Sequence, residues 1–279
     1  RNKGFSPSAL TFASILKACG SMGAIGKGKE IHEDIMKQEL QTDVLVGNAL
    51  VDMYAKCGVP IKAQEVFDEL PVRDVVAWTA LISGYSQNGQ AHDALHCYWS
   101  MQSEGFIPDV ITFTCILKAC GQIKALDEGE NIYEKVVSNE LLKKDLAVGN
   151  ALVDMYIKCG VLAKARQVLE ELPVRDIISW NAIIAGYEYH DQAHEALRCF
   201  ELMRNEGHTP DIVTFICTLK ACANIKSIDI GEKLHETIIF QCLLNKDIML
   251  GNALVNMYAK CGMLAKAREV LEELPFRDV

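Results

Sequence analysis

One short segment is written three times. Residues 48–58, NALVDMYAKCG, return as 150–160, NALVDMYIKCG, and as 252–262, NALVNMYAKCG, at a constant spacing of 102 residues. Self-similarity at a fixed period is the mark of a repeat architecture, in which one supersecondary unit is stacked on copies of itself. Each copy runs Ala-Leu-Val-x-Met-Tyr at helical spacing and stops at Cys-Gly. That is a short amphipathic helix with glycine at its C-terminal end.

Cutting at the Asp before each helical stripe gives units 9–43, 44–74, 75–109, 110–145, 146–176, 177–211, 212–247 and 248–278. Their lengths are 35, 31, 35, 36, 31, 35, 36 and 31 residues, so the long period holds three unequal units. Residues 1–8, RNKGFSPS, match 204–211, RNEGHTPD, and read as the tail of a preceding unit. Val279 reads as the first residue of a following one, so both ends are expected to fall within a longer array.

Each unit reads as two helices. In 177–211 the first carries Trp180, Ile183, Ile184 and Tyr187 on one face, and the second carries Ala193, Ala196, Leu197, Phe200 and Met203. These are the i, i+3, i+4, i+7 spacings of an apolar stripe. Gly105 and Gly207 end second helices, and Pro108 and Pro210 block their continuation. One helix pair cannot bury its stripe alone, so neighbours must stack. The expected fold is all-α: a right-handed α-solenoid superhelix of stacked helix-turn-helix repeats, in eight helix pairs and without strands.

The repeat also explains the composition. Half of the 279 residues are hydrophobic, enough for a large core. No apolar run approaches the roughly 18 residues of a membrane span, so no membrane partner is expected. Ten of eleven cysteines recur in register: Cys57, Cys159 and Cys261; Cys19, Cys120 and Cys222; Cys97 and Cys199; Cys115 and Cys217; Cys242 stands alone. No C-x-x-C or zinc-type Cys/His spacing occurs, so they read as small buried residues in a reducing compartment, with no cofactor. A net charge of −9 and a pI near 5.3 argue against indiscriminate coating of nucleic acid, but allow a local basic track.

Thirty-five-residue units such as DVVAWTALISGYSQNGQAHDALHCYWSMQSEGFIPD resemble pentatricopeptide repeats. Their alternation with LKACG-type and NALVDMYAKCG-type units resembles the PLS class of that family, found mainly in land plants. In those terms 9–43, 110–145 and 212–247 are L-type, 44–74, 146–176 and 248–278 are S-type, and 75–109 and 177–211 are P-type. Residues 1–8 end a preceding P-type unit. The uniform 34-residue tetratricopeptide pattern does not fit.

The resemblance implies modular binding of single-stranded RNA, one base per repeat. It assigns base reading to the fifth and last residues of each unit: Asn48 with Asp74, Thr79 with Asp109, Thr114 with Asp145, Asn150 with Asp176, Asn181 with Asp211, and Asn252 with Asp278. It assigns base sandwiching to the aliphatic second residues Leu45, Val76, Ile111, Ile178 and Val213. Ala13 (with Asp43) and Ile216 (with Asp247) depart from the pattern, so their units are expected to space the array or to bind without selection. The implied site is 5′-N-Y-G-(G)-Y-Y-N-Y-3′, with U ahead of C at each Y. The chemistry is reasonable in itself, since an Asn amide offers both a donor and an acceptor and an Asp beside it can fix its orientation. The structural alternative is that the Asn residues are helix N-caps and the Asp residues satisfy free helix amides.

Lys56, Lys158 and Lys260 recur at the end of the first helix of the short units. They can track phosphates, or serve as cations at a helix C-terminus. His92 with His96 and His190 with His194 have an i, i+4 spacing but no repeat register and no H-E-x-x-H, and read as incidental surface residues. Trp78 and Trp180 lie on the apolar stripe and read as core.

There is no Gly-rich phosphate loop, no nucleophile elbow and no recurring acid–base pair, so the chain reads as a binding protein and not an enzyme. In the family, PLS arrays often precede a deaminase-like domain that specifies C-to-U editing of organellar transcripts. Its H-x-E…P-C-x-x-C signature does not occur in these residues. The reading is therefore the targeting segment of an organellar editing factor, in mitochondrion or chloroplast, with editing-factor proteins or a deaminase-domain protein as partners. The rival readings are an α-solenoid protein–protein scaffold and a structural spacer.

Overall fold

The computed structural model of the chain describes residues 7–244 and 247–274. Among the described residues there are 17 helices and no strand. The chain divides into two compact units at Leu141/Leu142.

The first unit holds α1 (Ala9–Met22), α2 (Ile25–Lys37), α3 (Val44–Lys56), α4 (Pro60–Asp68), α5 (Val75–Gln87), α6 (Ala91–Ser103), α7 (Val110–Ile123) and α8 (Leu126–Ser138). The odd-numbered helices pack in succession, α1 on α3, α3 on α5, α5 on α7. Each of α2, α4 and α6 lies against its own partner and the next odd-numbered helix. A four-residue helix, α9 (Leu141–Lys144), follows α8. It is a third helical piece where two helices were expected, and it buries Leu142.

The second unit repeats the scheme with α10 (Leu146–Lys158), α11 (Leu162–Glu171), α12 (Ile177–Tyr189), α13 (Ala193–Asn205), α14 (Ile212–Ile225), α15 (Ile228–Phe240), α16 (Ile248–Lys260) and α17 (Leu264–Glu273). Here α10, α12, α14 and α16 pack in the same succession. The all-α solenoid packing read from the period is therefore what each unit shows.

Local chemistry sets the helix starts. Asp43, Asp74, Asp109, Asp145, Asp176, Asp211 and Asp247 each precede a first helix, and each accepts a hydrogen bond from a backbone N–H of its first turn. Such caps satisfy amides that have no partner inside the helix. Gly58, Gly160 and Gly262 follow the first helices at φ 78°, 77° and 80°, where a Cβ would be strained.

The apolar stripes meet at the centre. Trp180, Ile183, Ile184 and Tyr187 are buried on α12, as are Ala193, Ala196, Leu197, Phe200 and Met203 on α13. Burying each large side chain contributes about 1.5–3 kcal/mol. Trp78 and Trp180 are core residues, as their stripe positions predict, and Trp78 packs edge-to-face on Phe67 with centroids 4.5 Å apart. Seven cysteines are buried, Cys57, Cys159 and Cys261 are half-buried, and Cys242 is exposed. Burial pushes the Cys97 and Cys222 thiols up to about 12, and Cys199 and Cys217 to about 11, which disfavours the reactive thiolate.

His190 and His194, despite their i, i+4 spacing, do not share a helix: His190 caps the C-terminus of α12 and His194 lies in α13. Nor is His190 incidental, because its Nε2 lies 2.9 Å from the Ile157 carbonyl oxygen and ties α12 to α10.

Candidate nucleic-acid interface

The fifth residue of a first helix lies just over one turn past the residue that caps it, and at Asn48, Thr79, Asn150 and Asn181 its side chain meets the start of the next first helix. The stacking of α3 on α5 brings Asn48 to Asp74. Asn48 Nδ2 donates to both Asp74 carboxylate oxygens, at 3.0 and 2.9 Å. The stacking of α12 on α14 does the same for Asn181, whose Nδ2 lies 3.0 Å from each Asp211 oxygen. The N-cap reading of these Asn residues therefore fails. The caps are the Asp residues five positions earlier, and Asn48 and Asn181 lie inside their helices.

The same Asp serves two helices. Asp74 accepts from Ala77 N at 2.8 Å and from Asn48, and Asp211 accepts from Thr214 N at 2.9 Å and from Asn181. A carboxylate held by charge-assisted bonds from two helices is a rigid reference point for the amide beside it.

The other predicted pairs are built differently. Asn150 and Asp176 share a hydroxyl: Ser179 Oγ lies 2.6 Å from Asn150 Oδ1 and 2.7 Å from Asp176 Oδ1. Burial alone would raise the Asp176 carboxyl. The backbone and side-chain bonds from Ser179, with the amide of Asn150, outweigh it and leave the group below the usual carboxylate value. Thr79 reaches Asp109 through Thr112, whose Oγ1 lies 2.7 Å from Thr79 Oγ1 and donates to Asp109 Oδ1 at 2.8 Å. Thr114 instead donates to the Val110 carbonyl of its own helix at 2.8 Å, and Asp145 accepts from Ala147 N and Val148 N. Asn252 is exposed on α16, and its predicted partner Asp278 lies outside the described residues. Ala13 is buried and Ile216 half-buried, with no polar side-chain atom to offer.

In each compact unit the second residues of first helices leave aliphatic side chains exposed. Leu45, Val76, Ile111, Ile178 and Val213, each the second residue of its first helix, are 44%, 61%, 59%, 63% and 50% exposed. Apolar groups left in water at a regular position are suited to flat apolar ligands.

The recurring lysines are partly engaged. Lys56 pairs with Asp52 and Lys158 with Asp154, both at 2.8 Å within one helix, and Lys260 donates to Asn224 Oδ1 at 3.1 Å. All three remain exposed in the last turn of α3, α10 and α16.

Sequence reading missed two features. One is the hydroxyl at the third residue of a following first helix, in Thr112, Ser179 and Thr214; its signal was a Ser or Thr three residues after the capping Asp. The other is a His–Tyr contact, His32 Nδ1 to Tyr54 Oη at 2.9 Å and His235 Nδ1 to Tyr258 Oη at 2.8 Å. Tyr133 occupies the equivalent position in the middle copy.

Profiles of the PPR repeat family match residues 73–122 and 175–224, and those of the PPR repeat match 48–75 and 252–279. The chain belongs to the pentatricopeptide repeat family. It is 36% identical over 278 residues to a chloroplastic pentatricopeptide repeat-containing protein of Arabidopsis thaliana, covering 100% of this chain and 45% of that one. A second chloroplastic relative from the same plant is 39% identical over 269 residues, covering 96% and 50%. A mitochondrial one is 36% identical over 265 residues, covering 95% and 26%. The chain thus spans half or less of the length of these relatives. The crystal structure of the pentatricopeptide repeat protein PPR10 in complex with an 18-nt psaJ RNA element is similar in fold, with a TM-score of 0.76 at 17% identity over 97% of this chain and 45% of that one. PPR10 from maize matches with a TM-score of 0.55 at 18% identity, over 99% of this chain and 45% of that one.

Proposed function

We propose that this pentatricopeptide chain binds single-stranded RNA in a sequence-specific way, one base to each helix pair. The observation that carries the proposal is the repeated seating of a fifth-residue amide or hydroxyl against a capping Asp, directly at Asn48 and Asn181, through the Thr112 hydroxyl at Thr79, and beside the Ser179 hydroxyl at Asn150. A carboxylate can only accept, so the Asn amide must turn its NH₂ towards it. Each reading group is then preoriented, and the exposed aliphatic residues beside it supply apolar faces for a base. In this reading Asn48, Asn150, Asn181 and Asn252 select pyrimidines and Thr79 selects G. Thr114 selects G weakly, because its hydroxyl is already bonded to Val110.

The 31-, 35- and 36-residue unit lengths, and relatives named chloroplastic and mitochondrial, support placing the array in an organellar C-to-U editing factor. There the array acts as the targeting segment. The chain offers binding and no reacting groups, so the deamination chemistry belongs to another domain or a recruited deaminase-domain protein. Lys56, Lys158 and Lys260 contact phosphates by exchanging their carboxylate or amide partners for the RNA backbone.

Selection from a randomised RNA pool tests the proposal. Enrichment of 5′-N-Y-G-(G)-Y-Y-N-Y-3′ is expected. Retention without a common register, or no retention, would instead favour the protein-scaffold reading.

A further inference from the structure

The four reading pairs differ in one buried atom. Behind Thr79, Asn150 and Asn181 stand the hydroxyls of Thr112, Ser179 and Thr214, all fully buried. Behind Asn48 the same position is Ala77. Asn48 is 9% exposed, and its Oδ1 is buried without a hydrogen-bond partner. A buried acceptor left unpaired is costly and needs a reason.

The hydroxyl fixes the amide. At Asn181 both Asp211 oxygens lie 3.0 Å from Nδ2, so turning the amide over would set its oxygen against a carboxylate. Thr214 Oγ1 lies 2.6 Å from Asn181 Oδ1 and 2.9 Å from Asp211 Oδ1, and its single hydrogen serves the shorter contact, to the amide oxygen. The amide is therefore held from both sides, nitrogen by Asp211 and oxygen by Thr214. Ser179 stands to Asn150 as Thr214 stands to Asn181. Asn48 is held from the nitrogen side alone.

We infer that the third residue of the following first helix is a positioning residue for base specificity, a hydroxyl there sharpening the choice of U over C and Ala77 relaxing it. The inference rests on the RNA-reading proposal above. An amide whose oxygen is turned inward to a buried hydroxyl offers the base an N–H. That N–H suits the O4 carbonyl of uracil and meets the N4 amino group of cytosine donor to donor. Discrimination is strong when a mismatch leaves buried polar groups unpaired. Turning Asn48 over to accept from a cytosine amino group gives up the Asp74 bonds, as turning Asn181 over gives up those of Asp211, but it breaks no bond to a hydroxyl. The second base should therefore tolerate C, and the fifth and sixth should not.

The test compares paired RNAs that differ only by U or C at one position. In the wild-type chain the U:C affinity ratio should be larger at the fifth and sixth bases than at the second. Ala77→Ser should raise the ratio at the second base by about fivefold, the size of one net hydrogen bond. Ser179→Ala should lower it at the fifth base by a similar factor, and Ser179→Thr should keep it. A hydroxyl that only caps its helix would change thermal stability and scale affinity for both RNAs equally. Unchanged ratios in both Ala77→Ser and Ser179→Ala, with pyrimidine still preferred over purine at those bases, would overturn the inference and leave the RNA-reading proposal standing. A wild-type chain that distinguishes no base at the second, fifth and sixth positions would overturn both.

Discussion

Asn181 and Asp211 are 30 residues apart in sequence, yet the amide nitrogen of one lies 3.0 Å from both carboxylate oxygens of the other. The pairing exists because α12 stacks on α14 and because Asp211 must sit at the start of α14 to cap it. One residue thus ends a unit, starts a helix and fixes a side chain on the helix before it.

That double duty separates two otherwise similar substitutions. Asp43 and Asp211 both cap a first helix, but the residue that pairs with Asp43 in the repeat is Ala13. Asp43→Ala and Asp211→Ala should each cost about 1 kcal/mol of stability through removal of a cap, measured by urea unfolding. Only Asp211→Ala should also flatten base preference at the sixth position. Loss of selectivity in both variants would mean that the Asp acts on binding only through helix stability.

The His–Tyr pairs predict a pH response. Burial lowers the pKa of His32 and of His235 below the ordinary imidazole value. Lys62 adds to the effect at His32 against Glu69 and Glu33, and Lys266 adds to it at His235 against Glu273, Glu236 and Glu232. The folded state therefore favours the neutral rings. Between the unfolded pKa of about 6.5 and the lower folded values the unfolded chain binds more protons, so stability should fall as pH drops below about 6.5. Thermal unfolding between about pH 7.5 and 5 checks this, a range that spans the ordinary imidazole pKa. A variant with His32→Gln and His235→Gln should show a shallower fall over that range, and an identical slope would remove these histidines as its source.

How much of this was legible in advance differs by residue. The period, helix ends and stripe residues such as Trp180 and Phe200 were visible because they are local or repeat in register. The buried thiols were visible because each recurs. The seating of Asn48 on Asp74 was visible only through the family resemblance, because an Asn near a helix start and an Asp before the next helix have sound local roles. Their meeting depends on which helices stack. Thr112, Ser179 and Thr214 were hidden for a related reason: Ser or Thr three residues after a capping Asp reads as ordinary capping chemistry. The pairing of Lys56 with Asp52 and Lys158 with Asp154 could have been found, since the i, i+4 spacing is plain in the sequence.

Those pairs set the expectation for the lysines. Replacing Lys56, Lys158 and Lys260 with Gln should weaken binding to all RNA sequences alike. The salt slope should fall by about 0.7 for each phosphate that no longer meets a cation. Fluorescence titrations at several salt concentrations check it. An unchanged slope would confine the lysines to their helix ends.

The central claim is that single side chains choose single bases, and Asn181→Thr tests it most directly. The structure already holds a Thr in the equivalent setting, where Thr79 meets Thr112 and Thr112 meets Asp109. The introduced hydroxyl should therefore find Thr214 and Asp211 without disturbing the fold. Affinities of the wild-type chain and the variant are measured for RNAs that differ only at the sixth base. The account predicts that preference there moves from U to G, each mismatch costing on the order of 1 kcal/mol or more, while selectivity at the other positions stays as it was. Equal loss of affinity for both RNAs, with the variant still folded, would show that Asn181 holds the structure and does not read the base.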